Sequence, residues 1–199
     1  SSRIFLVNGK APRLFSILKQ PDLAITLEHI ANDGHAGFYD GEVADKLVGG
    51  VRELGGIWSK DDLKQYRIVE RTPLTGEYRG IRITSAPPSS SGGTVLLETL
   101  NILSGFDLAQ ADAITRKHLI VEAMRRAYHD RALYLGDSDF IPVPVQRLIN
   151  RDYAAGLRAS IRPDKALPSD LLAPSPEESP QGPQTTHFSI IDNEGTRVA

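Results

Sequence analysis

The sequence predicts a helix-rich α+β fold, and three patterns carry that expectation. Several stretches place apolar residues three and four positions apart, the spacing of one helix face. Two short β-prone runs flank a glycine-containing connection, "RTPLTGEYRG" and "IRITSA". A final alternating run, "THFSII", follows a long proline- and serine-rich segment.

Taken in order, "SSRIFLVNGKAPR" reads as a short strand with a turn at Asn8-Gly9. From Asp22 the pattern is helical, with Leu23, Leu27, Ile30 and Ala31 on one face and Gly34 as the stop. Val43, Leu47, Val48, Val51 and Leu54 repeat it, closed by Gly55-Gly56. Ser59 opens "SKDD", the spacing of a capping box. Beyond the two strands and Pro87-Pro88, "SSSGG" leads into a helix from Thr94 to about Leu103. The longest helix is expected from Asp112 to Leu135, ended by Gly136. Its apolar positions cover more than one face, which calls for neighbours on several sides. Shorter helices follow at Val145 to Ile149 and Asp152 to Ser160. The expected organisation is a helix-rich portion over 1–161, a Pro/Ser-rich exposed linker over 162–184, and the first strands of a further region over 185–199.

Composition narrows the function. The chain has 199 residues, a formal charge of -2, 40% hydrophobic and 24% charged residues. Such a balance offers no electrostatic case for nucleic acid or an anionic membrane surface. No apolar run reaches the ~20 residues of a membrane span, and no basic-then-apolar start marks a signal peptide within this stretch. Cysteine is absent, which removes disulfides, thiol catalysis and cysteine-bound metal without fixing a compartment.

The histidines, His29, His35, His118, His129 and His187, have no metal-ligand spacing. Asp61-Asp62, Asp137 and Asp139 sit at capping and turn positions. No metal and no cofactor is expected. "PPSSSGG" lacks the lysine of a phosphate loop and reads as a tight helix start at which backbones pass closely. "MRRAYHDR" reads as a solvated or interface face in which Arg126 and Asp130 are spaced to pair, and Trp58 as a core or interface anchor.

The remaining chemistry lies in "QTTH", Gln184 to His187. A threonine hydroxyl is a weak nucleophile without an adjacent base, and one solution is the residue's own α-amine, free only at a chain start. That amine titrates near ~8, close enough to neutral to supply an unprotonated fraction. A loose linker running directly into a strand that begins with threonine suits self-cleavage before Thr185.

Five segments together resemble the gamma-glutamyltranspeptidase family of N-terminal nucleophile hydrolases. They are "LKQPDLAITLEHIANDGHAGFYDGEVADKLV", "LGGIWSKDDLKQYRIVERTPLTGEYRG", "PPSSSGGTVLLETLNIL", "EAMRRAYHDRALYLGDSDF" and "QTTHFSIIDNEGTRVA", in the family's order. The resemblance implies a four-layer αββα sandwich, of which this stretch supplies the helix-rich part, from the second half of the large subunit to the start of the small one. It implies a precursor cut between Gln184 and Thr185, with Thr185 as the nucleophile. The implied reaction takes the γ-glutamyl group of glutathione or a related amide and passes it to water or to an acceptor amino acid or peptide. Relatives act in the periplasm or outside the cell. The family's glutamate-gripping and oxyanion residues have no counterpart between Ser1 and Ala199, so the isolated stretch is expected to be inactive. Its partners would be the remainder of its own large and small subunits. The hairpin over 186–199, stripped of neighbours, is expected to be disordered or paired with another chain, by self-association for example. A β-lactam acylase of the cephalosporin type shares the scaffold and stands as the rival reading, with a structural or oligomerisation module that never processes itself as a third. Two positions depart from the family pattern: Ser89, where many relatives carry a third proline, and Ser138, where "GDPDF" is usual.

Overall fold

A computed structural model describes residues 2–172 and 189–198. The chain divides into two compact units, residues 1–70 and 71–199.

In the first unit, α1 (Ser2–Phe5) precedes a tight turn. Val7 and Lys10 exchange backbone hydrogen bonds of 2.9 and 3.1 Å around Asn8 and Gly9, both at positive φ (52° and 73°). The turn is the expected one, but the strand before it is not. A lone two-stranded ribbon is marginal in water, and here it shrinks to a single bridge behind a helical turn. Helix α2 (Pro21–Asp33) starts at a proline and stops at Gly34, whose φ of 57° disfavours side chains and whose N–H reaches the Ile30 carbonyl. Its apolar face forms as expected, yet no α2 residue is buried. Helix α3 (Ala36–Tyr39) crosses it closely: a Cβ on Gly37 would lie 2.1 Å from the His29 carbonyl oxygen.

Asp40 caps α4 (Gly41–Glu53), which buries Val43, Ala44 and Val48. Ser59 and Asp62 form the capping box that "SKDD" signalled at the start of α5 (Lys60–Gln65). Leu63 then closes a small core with Ala44, Val48 and Tyr39. The Tyr39 ring stacks on His35 and Tyr66, with centroids 4.4 and 5.3 Å away. Trp58 is not part of this core; it is 45% exposed.

The second unit opens with β1 (Leu74–Tyr78) and β2 (Ile81–Ser85), antiparallel with Gly76 opposite Ile83. Arg79 and Gly80 turn the chain at φ of 52° and 79°, the primed geometry that matches strand twist. Helix α6 (Gly92–Leu103) lies against this hairpin. Gly76 makes room for it, since a Cβ there would lie 2.6 Å from a Leu97 methyl. Asp112 caps α7 (Ala113–Tyr134), its Oδ1 accepting the N–H groups of Ile114 and Thr115. After α8 (Val145–Leu148), Asn150 caps α9 (Arg151–Ala159) in the same way.

Helices α7 and α9 both pack on α6. Ile102, Leu103, Leu119, Ala123, Ala154 and Ile161 form the core between them. Ile102 and Leu148 are fully buried, and burial of a side chain of that size stabilises by roughly 1.5–3 kcal/mol. One flank of α7 stays open: Ile114, Val121, Met124 and Tyr128 are exposed, so the neighbours expected on several sides are absent among the described residues. Beyond α9 come an isolated bridge between Arg162 and Lys165 and a single 3-10 turn at Ser169–Leu171.

The last described residues form β3 (Ile190–Ile191) and β4 (Arg197–Val198). Asp192 builds their turn, its Oδ1 accepting the N–H groups of Glu194 and Thr196 at 2.9 and 2.8 Å. The hairpin is therefore ordered by local turn chemistry, and none of its described side chains is buried. Among the described residues no helix is long and apolar enough to cross a membrane.

Candidate functional site

The residues to which the sequence assigns chemistry, Gln184 and Thr185, lie outside the described residues. Their surroundings are described on both sides. Upstream, the chain leaving α9 is tied back to α7. His118 Nε2 lies 2.7 Å from the Arg162 carbonyl oxygen, and Arg125 donates to Ser169 Oγ at 3.0 Å. Arg162 also pairs with Asp164 at 2.9 Å. Downstream, the exposed β3–β4 hairpin begins within five residues of Thr185.

The "PPSSSGG" loop is built for close approach. A Cβ on Gly93 would meet the Ala86 carbonyl oxygen at 2.1 Å, so only glycine lets α6 start against the end of β2. Arg131 Nε donates to Ser91 Oγ at 3.0 Å, fixing the same loop from α7. Beside it, α6 and α7 border a groove of about 290 Å³ lined by Ser91, Leu96, Met124, Tyr128 and Arg131 among others.

The two departures from the family pattern converge here. Ser89 Oγ donates to Asp137 Oδ1 at 2.9 Å, and that oxygen also accepts the Asp139 N–H at 3.0 Å. Arg71 pairs with Asp139 at 2.6 Å and donates to Ser138 Oγ at 3.4 Å. The Asp139 N–H first, and the Ser89 hydroxyl second, hold the Asp137 carboxyl below its ordinary range. A proline at 89 could not make this side-chain bond, so the loop is fastened here by hydrogen bonds that a proline ring would not supply.

The side of "MRRAYHDR" that carries Arg126 and Asp130 is not a solvated face. Arg126 and Asp130 are 2% and 4% exposed, alongside Thr94, Glu98 and Glu122 at 2% or less. Nor do Arg126 and Asp130 pair. Arg126 turns back one turn to Glu122, with Nη1 2.8 Å from Oε2, and it also donates to Ser160 Oγ at 2.9 Å. A helix favours the acid N-terminal to the base at this spacing, and Glu122 satisfies that order where Asp130 does not. Arg125 joins Glu122 from the other side. Burial pushes the Glu122 carboxyl up, but the bonds from Arg126 and then Arg125 outweigh it, and the net displacement is downward.

Asp130 takes a different partner. The Tyr153 hydroxyl donates to its Oδ2 at 2.5 Å, and His129 Nδ1 lies 3.4 Å from its Oδ1. Burial, then the bond to Asp130, raises the Tyr153 phenol. Glu98 reaches this group from α6, and burial followed by the Asp130 charge pushes its carboxyl up to about 9. Thr94 Oγ1, Glu98 Oε1 and His129 Nε2 are buried without a hydrogen-bond partner. The sequence carried one signal of this cluster: Glu98 is the single charged residue of "TVLLETLNIL". Among the described residues no group of three or more histidines and carboxylates is placed to hold a metal ion.

Comparison with known proteins supplies the identity of this framework. The family model for gamma-glutamyltranspeptidase matches residues 1–199. The glutathione hydrolase proenzyme of Pseudomonas sp. (strain A14) is 44% identical, over 100% of this chain and 35% of that protein. The crystal structure of Helicobacter pylori gamma-glutamyltranspeptidase superposes with a TM-score of 0.77 at 39% identity, covering 91% of this chain and 52% of that one. A cephalosporin acylase from Bacillus halodurans follows at 0.71 and 34%, over 81% of this chain and 30% of that one. The chain thus spans about a third of the length of the curated relative it matches. Its helix-rich α+β architecture is that of the N-terminal nucleophile hydrolases these structures represent. The chain belongs to the gamma-glutamyltranspeptidase family.

Proposed function

We propose that the chain is part of a self-processing γ-glutamyl hydrolase and transferase in which Thr185 is the nucleophile. The observation that carries the reading is the family match over residues 1–199, a range that includes "QTTH", joined to 44% identity with a relative named as a glutathione hydrolase proenzyme. A proenzyme is what a cut between Gln184 and Thr185 requires.

After that cut, the Thr185 α-amine accepts the hydroxyl proton as Oγ1 bonds to the γ-glutamyl carbonyl carbon. The carbon–nitrogen bond breaks, and the leaving amine takes the proton. Water or an acceptor amino acid or peptide then attacks the ester, and Thr185 is regenerated. Threonine's branched Cβ limits the rotamers its hydroxyl can adopt. The described beginning of the segment that precedes the cut is tied to α7 at Arg162 and Ser169. The remaining large- and small-subunit polypeptide supplies the glutamate grip and oxyanion donors, and the compartment is extracytoplasmic.

The acylase reading is kept because a cephalosporin acylase shares the scaffold at a TM-score of 0.71. Turnover by the full-length protein of a γ-glutamyl anilide over a glutaryl amide is the expected result; preference for the glutaryl amide would replace the proposal. Thr185→Ala should abolish turnover of either, while Thr185→Ser retains part of it.

A further inference from the structure

Helices α6, α7 and α9 enclose two acidic side chains, Glu98 and Asp130, that no lysine or arginine neutralises among the described residues. The buried cation of this core, Arg126, is committed to Glu122 and Ser160. Arg131 is turned to Ser91. Arg147, on α8, is exposed and lies over the Tyr153 ring at 5.0 Å. From the β1–β2 hairpin, which also packs on α6, Glu77 and Arg82 are exposed. The groups left facing the pair are the Tyr153 hydroxyl from α9 and His129 from α7 itself.

Both Asp130 oxygens have partners, whereas Glu98 Oε1 is buried without one. Were both carboxyls ionised, two like charges would be buried in one core with one hydroxyl and one imidazole, both at Asp130, as the partners, which strongly disfavours the doubly ionised state. A proton on Glu98 removes one charge and converts an orphaned acceptor into a donor. We propose that Glu98 is a neutral carboxylic acid in the folded protein and shares its proton with the Asp130 carboxylate, pinning α6 to α7 and making the helical unit sensitive to alkaline pH.

The direction follows from linkage. Unfolded, Glu98 loses its proton in the ordinary carboxylate range; folded, it keeps the proton to a much higher pH. Between those limits the folded state binds one more proton than the unfolded state, so stability falls as pH rises and levels off above the folded-state titration. Glutamine at 98 mimics the protonated acid and cannot ionise.

The test is thermal unfolding of the full-length protein between about pH 5 and pH 9, for wild type, Glu98→Gln and Asp130→Asn. Glu98→Gln should match wild type at the acid end and exceed its Tm by roughly 5 °C or more at the alkaline end. Asp130→Asn should move the end of the wild-type decline to lower pH, because Glu98 then ionises more readily. Parallel curves for wild type and Glu98→Gln would overturn the proposal. Should Glu98→Gln not fold, infrared spectra of wild type carrying isotope-labelled glutamate decide: a protonated glutamic acid carbonyl band at neutral pH is expected, and its absence contradicts the shared proton.

Discussion

Residues 71–172 and residues 189–198 solve the problem of order in opposite ways. The first stretch buries charge: Glu98, Glu122, Arg126 and Asp130 are each at most 4% exposed, clamped between apolar layers. The second buries nothing, and its four ladder residues are held by one aspartate in a turn. The chemistry assigned to Thr185 sits beside the second. On the proposal that Thr185 is the nucleophile, stability and reactivity should be separable in this chain. Substitutions in the helical unit should act on folding, and substitutions around the hairpin should act on processing without moving the unfolding temperature.

Arg126→Met should have the largest effect. It leaves Glu122 buried with only Arg125 as a cation and removes the bonds to Ser160 Oγ and O, a loss of about 3–5 kcal/mol. Denaturant unfolding measures it; a change below about 1 kcal/mol would mean that the ion pair does not organise the core. Tyr153→Phe removes the hydroxyl that donates to Asp130 and should cost about 2 kcal/mol. Gly93→Ala forces the start of α6 away from Ala86, and a loss of roughly 1–3 kcal/mol is expected. Asp192→Ala should be the mildest, with no measurable shift in the Tm of the helical unit, although the amide exchange protection of Thr196 should vanish. A cooperative loss of helical structure in that variant would erase the contrast between the two regions.

Much of the fold is legible in the sequence because its signals are local. Pro21 and Gly34 bound one helix, Ser59 and Asp62 cap another, and Asp112 starts the longest. The Asn8-Gly9 turn is legible too, but the strand before it is not, since pairing depends on a partner that the motif does not contain. The polar core was hidden for a physical reason. In "MRRAYHDR" five of the eight residues are arginine, histidine or aspartate, the signature of a wet surface. Only the approach of α6 and α9, which bring Glu98 and Tyr153, turns that face inward. Trp58 shows the converse: a residue type that usually anchors a core stands 45% exposed in its unit. The candidate nucleophile was legible from the "TTH" motif and its family resemblance, whereas no local rule picks one threonine from another. Ser89 and Ser138 were visible as departures, but their meeting at Arg71, Asp137 and Asp139 required the fold.

One measurement bears most directly on the whole account: the intact mass of the purified full-length protein, beside that of its Thr185→Ala variant. The account predicts two polypeptides from the wild type, the smaller beginning at Thr185, and a single uncut chain from the variant. A wild type that hydrolyses γ-glutamyl amides while its Gln184–Thr185 bond remains whole would contradict it.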